Sequence, residues 1–197
     1  MKKIIFATSN ENKMKEIREI LKDLDVEVLS LKDAGIKADI VEDGKTFEEN
    51  AVIKASAIAR LTGEFVLADD SGLEVDYLDK APGIYSARFL GEDTSYDIKN
   101  NYILDKLKDV PLEKRSARFV CAIALCDKDG NSLVKRATIE GYIGYEIKGE
   151  NGFGYDPIFM VPEFNKTTAE LSMEEKNKIS HRGKALLAMK GEIAKLC

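Results

Sequence analysis

The 197-residue sequence predicts an α/β protein with a mixed, long central β-sheet flanked by helices. Two observations carry that expectation. In the first third, short apolar runs alternate with stretches of helical periodicity, the pattern of parallel strands joined by crossover helices. Near the middle, two longer apolar segments flank Asp127-Lys128-Asp129-Gly130-Asn131, a hairpin turn and so an antiparallel portion.

The elements follow in order. Lys3–Thr8 is an apolar run that reads as a buried strand, and Ser9-Asn10 is a turn and N-cap signal. Met14, Ile17, Ile20, Leu21 and Leu24 recur at helical spacing, which predicts an amphipathic helix over about 11–23. Val26–Leu31 is a second strand. Thr46-Phe47-Glu48-Glu49 is a capping box that opens a helix to about Leu61, with Gly63 suited to end it. Phe65–Ala68 is a buried strand expected to end abruptly at Asp69-Asp70-Ser71-Gly72. Tyr96–Lys108 is a polar helix stopping before Pro111. Arg115–Cys126 and Ser132–Gly141 are the hairpin strands, Asn151–Pro157 is a glycine- and aromatic-rich loop, and Ile158–Val161 is a short strand. Ser172-Met173-Glu174-Glu175 is a second capping box, and Ser180 is placed to cap a last helix over about 181–196. No repeat, low-complexity segment or linker interrupts the chain, so residues 1–197 read as a single domain.

Composition bounds the function. With 44% apolar and 33% charged residues the chain is of ordinary globular type. A domain this long buries about 70% of its unfolded surface and needs no disulfide or metal staple. The formal net charge of -5 speaks against nucleic acid or a membrane surface as partner, since both require a basic footprint. A small anionic substrate remains compatible if its charge is met locally. Three cysteines make no disulfide framework; Cys121 and Cys126 fall on opposite faces of one predicted strand, and Cys197 is the last residue. A single histidine argues against a zinc site. The apolar start at Ile4-Ile5-Phe6 is too short for a signal segment, and no apolar run approaches the ~18 residues of a membrane span. A cytoplasmic protein is expected.

Four segments have the composition of a site. Thr8-Ser9-Asn10-Glu11-Asn12-Lys13 runs from a strand end into a helix start, where unpaired N–H groups and the helix dipole favour an anion. It lacks the glycines of a Walker A loop, and the same residues also make an ordinary capped helix. Asp69-Asp70-Ser71-Gly72 puts two adjacent carboxylates at an apolar strand end. Neighbouring strand residues face opposite sides, so one carboxylate is available to hold Mg²⁺ or to act as a general base, with Glu42 a candidate second ligand. An acidic turn is the plain alternative. In Gly152-Phe153-Gly154-Tyr155-Asp156-Pro157, Phe153 or Tyr155 suits stacking on a planar base and Asp156 suits accepting from a ring N–H; a turn with aromatics tucked inward has the same composition. Lys176 and Ser180-His181-Arg182-Gly183 collect cations at or before a helix start, where the dipole disfavours them unless an anion or carbonyl oxygen lies opposite. Together these are parts of an enzyme acting on a nucleotide phosphate chain with a divalent metal.

Six ordered segments resemble the inosine triphosphate pyrophosphatase family. They are Ala7-Thr8-Ser9-Asn10 with Lys13, Gly44 to Ala51, Ala68 to Leu73, Ala81 to Arg88, Gly152 to Phe159, and Glu175-Lys176-Asn177 through Ser180-His181-Arg182. They span nearly the whole chain. The resemblance implies hydrolysis of ITP, dITP and XTP to the monophosphate and pyrophosphate with Mg²⁺, a fold of two lobes with the active-site cleft between them, and a homodimer. It implies that Thr8, Ser9, Asn10, Glu11, Asn12 and Lys13 bind the triphosphate. Asp70 would be the proton acceptor and a metal carboxylate, Glu42 the second carboxylate, and Ser71 a substrate contact. Phe153, Gly154, Tyr155, Asp156, His181 and Arg182 would hold the base, and Lys176 would touch substrate. Lys13 would also take up charge on the leaving group. Two rivals differ in class: a septum-inhibitor-type pyrophosphatase acting on modified pyrimidine nucleotides, and a non-catalytic nucleotide sensor.

Overall fold

The structure, a computed structural model, describes residues 2–196. Seven strands form one sheet in the order β2-β1-β3-β4-β5-β6-β7, with helices flanking it. Packing divides the chain into two compact units, each assembled from separated stretches of sequence. Among the described residues the first comprises 2–70, 121–137 and 181–196; the second comprises 71–120 and 138–180. Cys197 lies outside the described residues.

In the first unit, β1 (Lys2–Phe6) feeds α1 (Glu11–Leu21), which returns to β2 (Val26–Ser30). The chain then crosses back through α2 (Phe47–Thr62) to β3, whose first residues pair with the other edge of β1. Both pairings are parallel, with Ile4 opposite Val28 on one side and Phe65 on the other. β1 is therefore the strand at which the winding reverses, where the strand ends of open α/β sheets form binding crevices. Ile4, Phe6, Leu67, Cys121 and Ile123 pack against Met14, Ile17 and Leu21 of α1 and against Leu186, Met189 and Ile193 of α5 (His181–Ala194). Cys126, five residues beyond Cys121, is buried but outside this cluster, as strand alternation requires.

Local chemistry explains the helix ends. Asn10 is the N-cap of α1, its side chain accepting from the N–H groups of Asn12 and Lys13 at 2.9 and 3.3 Å. Thr46 caps α2 through the Glu49 N–H. The expected return bond is displaced by one residue, because the Glu49 carboxylate accepts from the N–H of Lys45. Gly63 closes α2 at φ 72°, with its N–H on the Ala59 carbonyl.

The second unit has its own core of Leu73, Val75, Ile103, Leu107, Phe119, Ile143, Tyr155 and Phe159. It holds α3 (Tyr96–Lys106), the short strands β6 (Phe159–Val161) and β7 (Lys166–Thr167), and α4 (Met173–Ile179). The hairpin strands are β4 (Ser116–Cys126) and β5 (Ser132–Ile143), joined by the predicted turn, in which Asp127 Oδ1 accepts from the N–H groups of Asp129 and Asn131. The Ser172 capping box is present with both of its bonds. Buried Arg115 replaces a carboxylate partner with carbonyls, donating to those of Leu107, Val110, Ile143 and Gly144 while its guanidinium lies 4.1 Å from the Tyr145 ring centroid.

One expectation fails. β3 runs from Phe65 to Val75 and does not end at Asp69. Asp69, Asp70, Ser71 and Gly72 are mid-strand residues, so the acidic-turn alternative falls with it. Asp and Gly are poor strand formers, and local propensity points to a turn there. The apolar Leu73 and Val75 beyond them are fully buried in the second unit and hold the strand extended.

Candidate active site

The first unit gathers one set of predicted residues. β1 ends at Phe6, and the Ala7 N–H still reaches the Leu67 carbonyl of β3 at 2.8 Å. Thr8 is buried, and its hydroxyl accepts from the Asn10 N–H at 3.1 Å. Ser9, Asn10, Glu11 and Asn12 are exposed, so the start of α1 is open to a ligand. Lys13, one turn in, bends to Asp69 and donates to Oδ1 at 3.0 Å.

Asp69 and Asp70 divide between the two faces of β3. Asp69 is 1% exposed and accepts from Lys13 and, at 3.2 Å, from Arg182 Nε. Burial alone would raise its pKa; the charges of Lys13, Arg182 and Lys54 outweigh that and hold it well below the ordinary carboxylate range. Arg182, at the start of α5, also donates to Glu16 of α1. Burial works against the Arg182 charge, but Asp69 and Glu16 more than restore it, and its pKa is raised. His181 beside it is buried.

Asp70 has a different environment. Its Oδ2 accepts from the Asn50 amide of α2 at 3.1 Å, while the Asn50 oxygen accepts from the Gly44 N–H at 2.8 Å. A Cβ on Gly44 would lie 2.6 Å from that oxygen, so glycine lets this loop close on α2. Burial pushes the Asp70 carboxyl up to about 6; Lys54 and the Asn50 bond pull it down, and the charges of Glu42 and Asp69 push it up again. Glu42 pairs with Lys54 at 3.1 Å. This donor set suits a hard divalent cation, which would re-ionise a carboxyl burdened by burial and like charges. Among the described residues no group of three His, Cys, Asp or Glu side chains is placed to hold a metal ion. Magnesium characteristically takes one or two carboxylates and completes its shell with water and phosphate oxygens. Asp70 and Glu42 are the residues that could provide them.

The second unit holds the other set. Ser71 follows Asp70 on β3 and is half-buried. In the loop before β6, Asp156 is 2% exposed and its carboxylate is already engaged. Its Oδ2 accepts from Lys176 Nζ at 2.7 Å and the Phe153 N–H at 2.9 Å, and its Oδ1 accepts from the Thr168 hydroxyl at 2.8 Å. Lys176 Nζ also lies 5.0 Å from the Phe153 ring centroid. The two aromatic candidates separate. Phe153 is half-buried. Tyr155 is buried, set edge-on to Tyr96 with centroids 5.2 Å apart, and its hydroxyl donates to the Ser86 carbonyl at 2.7 Å. Gly152 and Gly154 take φ of 73° and 69°, and a Cβ on Gly152 would fall 2.1 Å from the Asp156 carboxylate.

Sequence reasoning missed Asn50, Lys54 and Glu16. The signal for the first two was present. Phe47, Asn50, Ala51, Lys54, Ala55 and Ile58 form one helical stripe, and polar residues on an otherwise apolar stripe call for partners.

Fold and site together define an α/β protein that gathers a capped helix start, a buried mid-strand carboxylate and paired cations beside the end of β1, where its winding reverses. The chain belongs to the Ham1 family, whose model matches residues 4–192. It is 53% identical over 184 residues to the dITP/XTP pyrophosphatase of Exiguobacterium sibiricum, covering 93% of each chain. It is 49% identical over 199 residues to that of Clostridium perfringens, covering 98% of each. Among solved structures, the HAM1 protein of Coxiella burnetii superposes with a TM-score of 0.90 at 41% identity, over 99% of this chain and 100% of that one. The Staphylococcus aureus Ham1 protein gives 0.89 at 40% identity, over the full length of both.

Proposed function

We propose that this chain hydrolyses dITP, ITP and XTP to the nucleoside monophosphate and pyrophosphate, removing them from the nucleotide pool. Support comes from relatives of about half identity over nearly full length that bear the name dITP/XTP pyrophosphatase. The observation within the structure that carries the reading is Asp70, a buried strand carboxyl raised to about 6 with Glu42 and Lys54 beside it. Those relatives lend no support to a modified-pyrimidine substrate.

In this reading Thr8, Ser9, Asn10, Glu11, Asn12 and Lys13 bind the triphosphate, its charge met by the start of α1 and the Lys13 ammonium. Asp70 and Glu42 hold Mg²⁺, which when bound supplies charge neutralisation for the phosphate chain. Asp70 orients a water and accepts its proton as the new O–P bond forms at the α-phosphorus. The bond to the β-phosphate oxygen breaks, and pyrophosphate leaves with its charge met by Lys13. Ser71 touches substrate beside Asp70. Phe153 stacks on the base, Gly154 offers backbone to it, and Tyr155 and Asp156 shape that loop from behind with Lys176. His181 and Arg182 supply N–H donors suited to a 6-oxo group and unsuited to the 6-amino group of adenine. Residues 1–197 act as one domain, in a cytoplasmic homodimer. Among the described residues no helix is long and apolar enough to cross a membrane.

The test is pyrophosphate release from ITP, dITP and XTP, with ATP and GTP as controls, with and without Mg²⁺. Turnover confined to the first three and dependent on Mg²⁺ is expected. Equal turnover of ATP, or none of any nucleotide, would refute the reading.

A further inference from the structure

The N-terminal half of α3 holds two adjacent side chains that the reaction described above does not use. Lys99 is 1% exposed, and its Nζ donates to the Ala87 carbonyl at 2.6 Å rather than to a carboxylate. That ammonium also lies 4.7 Å from the Tyr96 ring centroid. Asn100 is 3% exposed; its Nδ2 donates to the Gly154 carbonyl at 3.1 Å, and its Oδ1 is buried without a hydrogen-bond partner. Burying an ammonium on a neutral acceptor, and an amide with its oxygen unsatisfied, are both unfavourable. Neither is what a helix needs to pack, since an apolar residue would do so at lower cost.

Both side chains act on loop carbonyls of one small cluster. Ala87 and Ser86 are consecutive, and the Ser86 carbonyl accepts from the hydroxyl of Tyr155, the residue after Gly154. The Ser86 hydroxyl in turn accepts from the Leu73 N–H of β3 at 2.9 Å and donates to the Gly83 carbonyl at 2.6 Å. Tyr96 closes the group by its edge-on contact with Tyr155. The loop over residues 83–88 and the loop over 152–157 are thus held at three carbonyls, two of them by adjacent residues of one helical turn.

We propose that Lys99 and Asn100 are positioning residues for base recognition, fixing the 152–157 loop against the 83–88 loop in the one geometry that accepts the purine. This rests on the reading of the 152–157 loop as the base site. Loss of either bond lets the loop relax, and affinity for the base falls while the phosphate chain, held elsewhere, is bound as before.

The experiment is a binding titration in EDTA, where metal-dependent turnover stops, with ITP and with inorganic tripolyphosphate, which carries no base. Lys99→Met, Lys99→Arg and Asn100→Ala are compared with the unsubstituted protein, and each is first checked by thermal unfolding. Lys99→Met and Asn100→Ala are expected to lose tenfold or more in ITP affinity with less than twofold change for tripolyphosphate, and Lys99→Arg to recover most of the loss. Unchanged ITP affinity, or equal losses for both ligands, would overturn the proposal, as would an unsubstituted protein that binds ITP no better than tripolyphosphate. If Asn100→Ala does not fold, the two Lys99 variants decide alone. An unsubstituted protein that prefers ITP in binding but releases no pyrophosphate from it would sink the hydrolytic reading and leave this one standing.

Discussion

Asp69 and Asp70 are adjacent on β3 and face opposite ways, one saturated with cations and the other set against burial and like charge. Asp69 accepts from Lys13 and Arg182 and is held ionised. Asp70 accepts from a neutral amide and is raised to about 6. Their environments drive the two carboxylates apart, and in the proposed reaction that makes Asp70, not Asp69, the candidate for proton chemistry.

Asp70→Asn is expected to lower kcat by a factor of about 10² to 10⁴, the usual contribution of a general base, while nucleotide affinity stays within about threefold. Its folded pKa lies above the unfolded value. The ionised carboxyl therefore costs stability above about pH 6, and that cost vanishes below the ordinary carboxylate range. In the metal-free protein at neutral pH the variant should accordingly unfold at an equal or higher temperature. Pyrophosphate release and thermal melts in EDTA check both halves; near-normal kcat would remove Asp70 from its role.

Lys13→Ala should raise KM for the triphosphate by about tenfold or more and lower kcat, from the loss of a charge-assisted contact to phosphate. It also deprives buried Asp69 of a cation hydrogen-bonded to it, so the melting temperature should fall. Steady-state kinetics beside a thermal melt separate the two effects. Unchanged kinetics with a lowered melting temperature would make Lys13 purely structural.

Gly152→Ala places a methyl group 2.1 Å from the Asp156 carboxylate at φ 73°. The strained backbone alone costs about 1–2 kcal/mol. Displacing Asp156 from Lys176 and the Phe153 N–H should add a rise in KM. Gly130→Ala is the control: its φ is 88° but nothing lies within 4 Å, so it should show the strain without the kinetic defect.

Acid stability should depend on Arg118. Its guanidinium donates to both oxygens of Asp76 at 3.0 Å. These bonds, more than those from Lys80 and Ser116, hold Asp76 well below the ordinary carboxylate range against the effect of burial. A depressed folded pKa contributes stability above the unfolded value of about 4, lost as pH falls through the folded one. Arg118→Met should lose about 1 kcal/mol at neutral pH and show a shallower decline of melting temperature below pH 4, a magnitude set by partial solvent screening.

The fold was largely legible where local and tertiary preferences agree. The 3.6-residue stripe of α1, the Thr46 and Ser172 caps and the Asp127–Asn131 turn are all short-range chemistry, and their positions hold to within a residue or two. β7 is only two residues long and carries no pattern to read. The middle of β3 misled for the opposite reason: the Asp-Asp-Ser-Gly composition of a turn is overridden by Leu73 and Val75, whose burial nothing local announces.

Sequence by itself determined the types of groups that could act: a capped strand-to-helix turn with a lysine, paired carboxylates, an aromatic glycine loop and a cationic helix start. It also determined, through alternation along a strand, that Asp69 and Asp70 must part company. Tertiary structure decided which of them is neutralised by Lys13 and Arg182 and which is left with Asn50, because those partners lie 56, 113 and 20 residues away in the chain. It likewise decided that Tyr155 is buried and bonded to Ser86 and that Asp156 is occupied by Lys176, Phe153 and Thr168. A residue's type sets what it can donate or accept. Only packing sets what it faces, and the low dielectric of a buried site turns that choice into a protonation state.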